Sequence, residues 1–257
     1  MKLYIFGSCS GTEPMEGRHH TSVSFEINGR LYWFDAGENC SYTAHLMGLD
    51  LLKVSDVFIS HTHMDHIGGL ANLLWNIRKL TWVKKIQPIF GDINVYMPNE
   101  AAFDAVINLL KTSEGGYRTE YKTLFNKVSD GTVMKNDDIE VEAVHNLHLP
   151  EDENGFRSYS YCIKAENKRV VYSGDIKDFD ELSCFFKEDV DALLIETGHH
   201  SATEICQRIK DNGYNVKKVL FMHHGRGILK NPDDVLVRCR EILPQAVICN
   251  DKDVFDI

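Results

Sequence analysis

The chain has 257 residues, 43% of them hydrophobic, with 28 basic against 38 acidic side chains and a formal net charge of −10. This length is enough to bury a full core, and the acidic balance disfavours polyanionic partners except at a local basic patch. The seven cysteines contain no Cys-x-x-Cys pair and are odd in number, which speaks against a secreted disulfide framework and for free thiols.

The opening run Met1-Lys2-Leu3-Tyr4-Ile5-Phe6-Gly7 is too short for a signal peptide, and no apolar stretch is long enough to cross a bilayer. A cytoplasmic protein without a membrane partner is the expectation. Strands are predicted at residues 3–6, 22–27, 31–34 and 57–59, with Asn28-Gly29 as the tight turn between the second and third. A helix is predicted over 65–79. The stripe Leu70, Leu73, Leu74, Ile77 and Leu80, with Trp75 and Trp82, reads as core or as the face of a homodimer rather than as a substrate contact. Lys79, Lys84 and Lys85 read as a solvated helix end. A second helix is predicted over 100–111, capped by Asn99. Residues 139–144 alternate as a strand does, with His145 and His148 near its end. An apolar strand from Arg169 ends in Ser173-Gly174-Asp175, and another, 219–222, runs into His223 and His224. Helices over 202–212 and 232–243 complete the chain, Pro232 suiting the first turn of the last. No repeat, low-complexity tract or linker divides it, so residues 1–257 are expected to form one domain. The order of elements predicts an α+β fold of αββα type, two packed mixed sheets with helices on the outer faces.

The chemistry is concentrated in His61-Thr62-His63-Met64-Asp65-His66, directly after the strand at 57–59. In extended backbone His61 and His63 point the same way, and a helix starting near Asp65 turns Asp65 and His66 back toward the same space. Imidazoles and a carboxylate suit zinc, and also manganese or iron, and the scarcity of sulfur ligands argues against a purely structural zinc site. A polar surface turn is the bland alternative, but three histidines rarely cluster so by chance.

This run resembles the H-x-H-x-D-H hallmark of the metallo-β-lactamase superfamily, and further segments follow in that family's order. Phe34-Asp35-Ala36-Gly37-Glu38 is similar to its early Asp-x-Gly element, which implies that Asp35 supports the site without being a ligand. Ser173-Gly174-Asp175 resembles the bridging aspartate, and His223 the closing ligand, with His224 as the alternative. Ser158-Tyr159-Ser160-Tyr161 looks like a segment of the ribonuclease Z-like and small-phosphodiesterase branch, which implies His148 as a ligand ahead of His145. Gly198-His199-His200-Ser201-Ala202-Thr203 resembles that branch's Gly-His-Ser-Thr-like segment, and His200, directly before Ser201, matches its histidine better than His199 does.

The resemblance implies a hydrolase with two divalent cations, zinc ahead of manganese or iron, that activate water against a phosphodiester. His61, His63 and His148 would hold one ion, Asp65, His66 and His223 the other, and Asp175 would bridge them. Asp65 would also orient the nucleophile, His200 would stabilise charge on the phosphoryl group or protonate the leaving group, and Arg226 would contact the phosphate, although a plain surface arginine is the alternative. Two departures bear on substrate. Residues 70–138 contain no Gly-rich basic excursion like the arm with which a tRNA-processing ribonuclease Z clamps its substrate, and an acidic insertion, 149–157, borders the expected metals and narrows the pocket. With the acidic charge, these favour a small or cyclic phosphodiester or nucleotide over nucleic acid. The alternatives are tRNA 3′-processing and hydrolysis of a lactone or ester.

Overall fold

The computed structural model describes residues 1–11, 15–113 and 116–257. The first half contains β1 (Lys2–Gly7), β2 (Ser22–Ile27), β3 (Arg30–Phe34), α1 (Cys40–Leu46), β4 (Val54–Phe58), α2 (Met64–Ile67), α3 (Leu70–Lys84), β5 (Ile93–Met97), α4 (Glu100–Thr112) and β6 (Thr123–Lys127). The second contains β7 (Gly131–Lys135), β8 (Glu140–His145), β9 (Tyr159–Ala165), β10 (Lys168–Tyr172), β11 (Ala192–Thr197), α5 (Ala202–Asp211), β12 (Val219–His224), α6 (Arg226–Leu229), α7 (Pro232–Ile242) and β13 (Ala246–Ile248). A last strand, β14 (Val254–Asp256), returns to the first sheet.

The strands form two seven-stranded sheets, ordered β14-β1-β2-β3-β4-β5-β6 and β13-β12-β11-β10-β9-β8-β7. Each is antiparallel toward one edge and parallel toward the other: β3 to β6 are parallel in the first sheet and β10 to β13 in the second. Side chains of both sheets fill the space between them, among them Phe25, Phe34, Phe58, Tyr161, Leu194 and Leu220. Phe34, Phe58 and Tyr96 stack with ring centroids 4.7 and 4.6 Å apart, and Tyr161 meets Phe34 edge-on at 5.6 Å. Helices α1, α3 and α4 cover the outer face of the first sheet, while α5 and α7 cover that of the second. This is the α+β sandwich that the order of elements predicted.

Local rules account for most of the strand pairing. Asn28 and Gly29 adopt φ of 49° and 77°, the paired left-handed conformation that closes a two-residue hairpin, and Ile27 pairs with Arg30. The predicted helix over 65–79 instead breaks into α2 and α3 at Gly68-Gly69. Gly69 donates its N–H to the Ala36 carbonyl at 2.7 Å, and a β-carbon there would fall 2.1 Å from the Gly37 oxygen, so only glycine lets the segment pass beneath the turn after β3. Beyond the break the stripe faces the core: Leu70, Leu73, Leu74 and Ile77 are wholly buried, whereas Trp82 is 66% exposed. No helix among the described residues is long and apolar enough to cross a membrane.

Because β8 and β10 both run antiparallel to β9, they point the same way. Their ends, with those of β4 and β12, deliver the segments that carry the candidate residues to one rim of the sandwich.

Candidate metal centre

All seven predicted ligands come together at this rim. His61, His63, His148 and Asp175 offer ligand atoms within 4.8 Å of one another, as do Asp65, His66 and His223. Asp175 stands between the two groups and divides its oxygens between them. Its Oδ1 lies 3.3 Å from Nε2 of both His66 and His223, while its Oδ2 lies 3.6 Å from Nε2 of His148 and 3.8 Å from Nε2 of His61. One carboxylate thus faces two pockets, as a ligand shared by two ions must.

The alternatives at 145 and 224 turn elsewhere. His145 directs Nδ1 at Asp130 at 2.7 Å and stacks on Phe156 with ring centroids 3.6 Å apart. His224 is wholly buried, its Nδ1 3.0 Å from the Thr197 hydroxyl and its Nε2 2.8 Å from the Cys249 carbonyl. Two adjacent residues face opposite ways here although the strand is not regular: His223 has a left-handed φ of 49°, and the β11–β12 register shifts at this point.

Asp35 stands behind the cluster. One carboxylate oxygen accepts the Ser60 N–H at 2.7 Å, and the other accepts the Ser60 and Tyr172 hydroxyls at 2.7 and 2.6 Å and meets His66 Nδ1 at 2.7 Å. Holding Nδ1 in this way aims Nε2 of His66 into the site.

At the histidine pair the two rings take different partners. Nδ1 of His199 lies 3.0 Å from Oε1 of Glu196, and the His199 ring centroid is 5.0 Å from that of His148 and 5.7 Å from that of His223. His200 instead turns its Nε2 to the Ile176 carbonyl at 3.0 Å. Glu196 was not foreseen. It is the penultimate residue of the apolar strand β11, is 1% exposed, accepts the His199 N–H at 2.9 Å and that of Ile176 at 3.1 Å, and shares a further group of ligand atoms with Asp175, His199 and His223. An acid near the end of an otherwise apolar run, two positions before Gly-His-His, was the available signal. Gly198 is needed between them, since a β-carbon there would lie 2.6 Å from Nδ1 of His223. Arg226 begins α6 three positions after His223 and is exposed.

The donor set fits divalent cations. Among the described residues His66 Nε2 and Asp175 Oδ1 are buried without a hydrogen-bond partner, although both face the centre of the cluster. The electrostatics also call for added positive charge. Burial opposes protonation of His66 and His223, yet the neighbouring carboxylates, Asp175 foremost, raise both, His223 to about 9. Burial works against the ionised form of Asp65 too, and the hydrogen bond from His223 nevertheless holds its carboxyl below the usual range. Cations binding here would displace those protons and take over the neutralisation. Beside the cluster opens a cleft of about 680 Å³, lined by His148, Ile176, Lys177 and His199 and, from the acidic insertion, by Pro150 and Glu151.

Comparison with known proteins agrees with this architecture. The chain is 45% identical over 74 residues to the ribonuclease Z of Treponema pallidum (strain Nichols), a match covering 29% of this chain and 24% of that protein. The chain thus spans about a quarter of the length of the Treponema relatives it matches. The structure of the short form of human tRNase Z superposes with a TM-score of 0.75 at 15% identity, covering 100% of this chain and 99% of that one. The metallo-β-lactamase fold protein YhfI of Bacillus subtilis superposes with a TM-score of 0.76 at 17% identity, covering 99% and 98%. Residues 1–205 match the family described as anti-Pycsar protein Apyc1. The chain has the metallo-β-lactamase fold, and it belongs to the anti-Pycsar protein Apyc1 family.

Proposed function

We propose that the protein is a metal-dependent phosphodiesterase that hydrolyses a small or cyclic phosphodiester or nucleotide. The observation that carries this reading is the split of Asp175 between two pockets of neutral and anionic ligands, beside an open cleft. Two divalent cations, zinc ahead of manganese or iron, would be held by His61, His63 and His148 on one side and by Asp65, His66 and His223 on the other. When bound they supply a water of lowered pKa and neutralise charge on the phosphoryl oxygens.

The remaining work belongs to the chain. Asp65, whose Oδ2 lies 3.1 Å from His223 Nε2, would orient the attacking water or accept its proton. His199 takes the role that the sequence assigned to His200. The hydrogen bond to Glu196, its largest influence, raises His199 above the ordinary histidine range, so that its ring can carry a proton to a leaving oxygen. His200 and Lys177 form part of the cleft wall, and Arg226, at the start of α6, is the contact for phosphate.

The preference for a small substrate rests on shape and charge. Among the described residues between 70 and 138, the chain is taken up by α3, β5, α4, β6 and β7, which belong to the sandwich itself. The kinship with ribonuclease Z supports cleavage of the same kind of bond and makes tRNA the second reading; a lactone or ester is the third. The test is catalytic efficiency of the zinc- and manganese-loaded protein on bis(p-nitrophenyl) phosphate, 2′,3′- and 3′,5′-cyclic nucleotides, precursor tRNA, a lactone and a thioester, at low and moderate salt. Small diesters should be preferred with weak salt dependence, since one phosphate releases few counterions. A salt-quenched preference for tRNA, or hydrolysis of the lactone alone, would overturn the proposal.

A further inference from the structure

His223 sits in a left-handed backbone conformation, with φ of 49°, that a non-glycine residue holds only at a cost, and such conformations persist only where their surroundings over-determine them. The main-chain atoms of the next residue show what does so. The N–H of His224 donates to the Ser8 carbonyl at 2.8 Å, and its carbonyl accepts the Ser10 N–H at 3.1 Å, so the segment after β1 grips the residue following the strained one from both sides. That same segment reaches a second residue of the pocket: a β-carbon at Gly11 would fall 2.8 Å from the carboxyl carbon of Asp65.

The grip is itself anchored by one carboxylate, far from the cluster in sequence. The side chain of Asp251 is 4% exposed, and its two oxygens satisfy two neighbouring stretches. Oδ1 accepts the N–H and hydroxyl of Ser8 at 2.9 and 2.7 Å, and Oδ2 accepts the N–H of His19 at 2.6 Å and meets its Nδ1 at 2.9 Å. Arg18 closes the arrangement by donating to the Ser8 hydroxyl, the Cys249 carbonyl and Asn250 at 2.7, 2.9 and 2.8 Å. The Cys249 carbonyl also meets the His224 ring at 2.8 Å. The turn that holds Asp251 therefore contacts both the residue after the strained ligand and the segment that grips it.

We propose that Asp251 is a positioning residue for the pocket of Asp65, His66 and His223: by fixing Ser8 and His19 it keeps His224 in place and His223 in its left-handed conformation. The proposal rests on the metal-centre reading but not on any substrate. A carboxylate is required because four donors converge on it; a neutral amide could accept from only one pair.

A zinc titration against a chromophoric chelator tests this as a double-mutant cycle, with urea unfolding of the metal-free proteins as a second readout. Asp251→Ala should weaken one of the two zincs ten- to a hundredfold in the otherwise intact chain, as loss of an outer support does. In a chain that already carries His223→Ala, the same change should cost less than threefold, because the residue it positions is gone. Asp251→Asn, which keeps one acceptor oxygen, should fall between. If Asp251→Ala does not fold, Ser8→Ala, which removes the hydroxyl shared by Asp251 and Arg18, passes through the same cycle with an expected three- to tenfold loss. An equal loss in both backgrounds would show a merely structural role and overturn the proposal, as would no loss in either. If the unaltered chain takes up no zinc, the metal-centre reading fails as well; if it takes up two ions and the cycle is additive, only the role of Asp251 fails.

Discussion

Nδ1 of His66 and Oδ2 of Asp35 lie 2.7 Å apart, and both side chains are wholly buried. Asp35 has a left-handed φ of 51°, and its two oxygens also take Ser60 and Tyr172, so one carboxylate ties the turn after β3 to the loop that follows β4 and to β10.

Asp35→Asn should damage both folding and metal binding. An amide nitrogen would then face hydroxyl and N–H donors that now share a carboxylate oxygen. Zinc affinity is expected to fall ten- to a hundredfold, the range for loss of a partner that orients a ligand, and the metal-free chain to lose on the order of 3 kcal/mol, as when a buried pair is broken. Chelator competition and urea unfolding measure the two effects. Unchanged zinc affinity would mean that His66 is oriented by packing alone.

The histidine pair separates by turnover. His199→Ala is expected to lower kcat on a small diester by about 10²–10⁴, as for loss of a general acid, with zinc content within about twofold of the unaltered protein. His200→Ala should cost less than about tenfold, because its ring hydrogen-bonds to the Ile176 carbonyl at the wall of the cleft. Steady-state kinetics with metal analysis on the same preparations decides between them, and a larger loss at 200 than at 199 would restore the assignment made from sequence.

His224 gives the fold a defined acid sensitivity. Burial pushes its ring down to about 3, whereas a histidine in an unfolded chain titrates near about 6.5. Between those values the unfolded chain binds a proton that the folded one does not. The stabilisation from a neutral His224 is therefore complete above about pH 6.5 and is lost as pH falls, by up to about 1.4 kcal/mol per unit. His224→Gln should unfold with a shallower pH slope than the unaltered metal-free protein between about pH 7.5 and 5. His66 and His223, which shift upward, are common to both chains and cancel in the comparison. Parallel slopes would show that His224 becomes protonated inside the fold.

Much of this was legible before any coordinates. The hairpin at Asn28-Gly29, the alternating run that becomes β8 and the spacing of His61, His63, Asp65 and His66 are local signals, set by turn chemistry and side-chain direction within a few residues. What sequence could not decide depends on distant contacts. The choice between His199 and His200 hinges on Glu196, a buried acid at the end of another element. The break before α3 hinges on the close passage of Gly69 beneath Gly37, which no helical period reveals. β6 and β7 escaped because their residues are mostly half-exposed or exposed and lack a clean apolar alternation.

The mirrored order of the two sheets places His61, His63, Asp65 and His66 in the first half of the chain, and His148, Asp175 and His223 in the second. Neither half by itself presents a closed chelate. During synthesis the early histidines emerge well before the carboxylate that faces both pockets, and the last side chain of the cluster appears only when β12 has been made. An ion held by all of these side chains would need the two sheets closed on each other, and it would resist their coming apart.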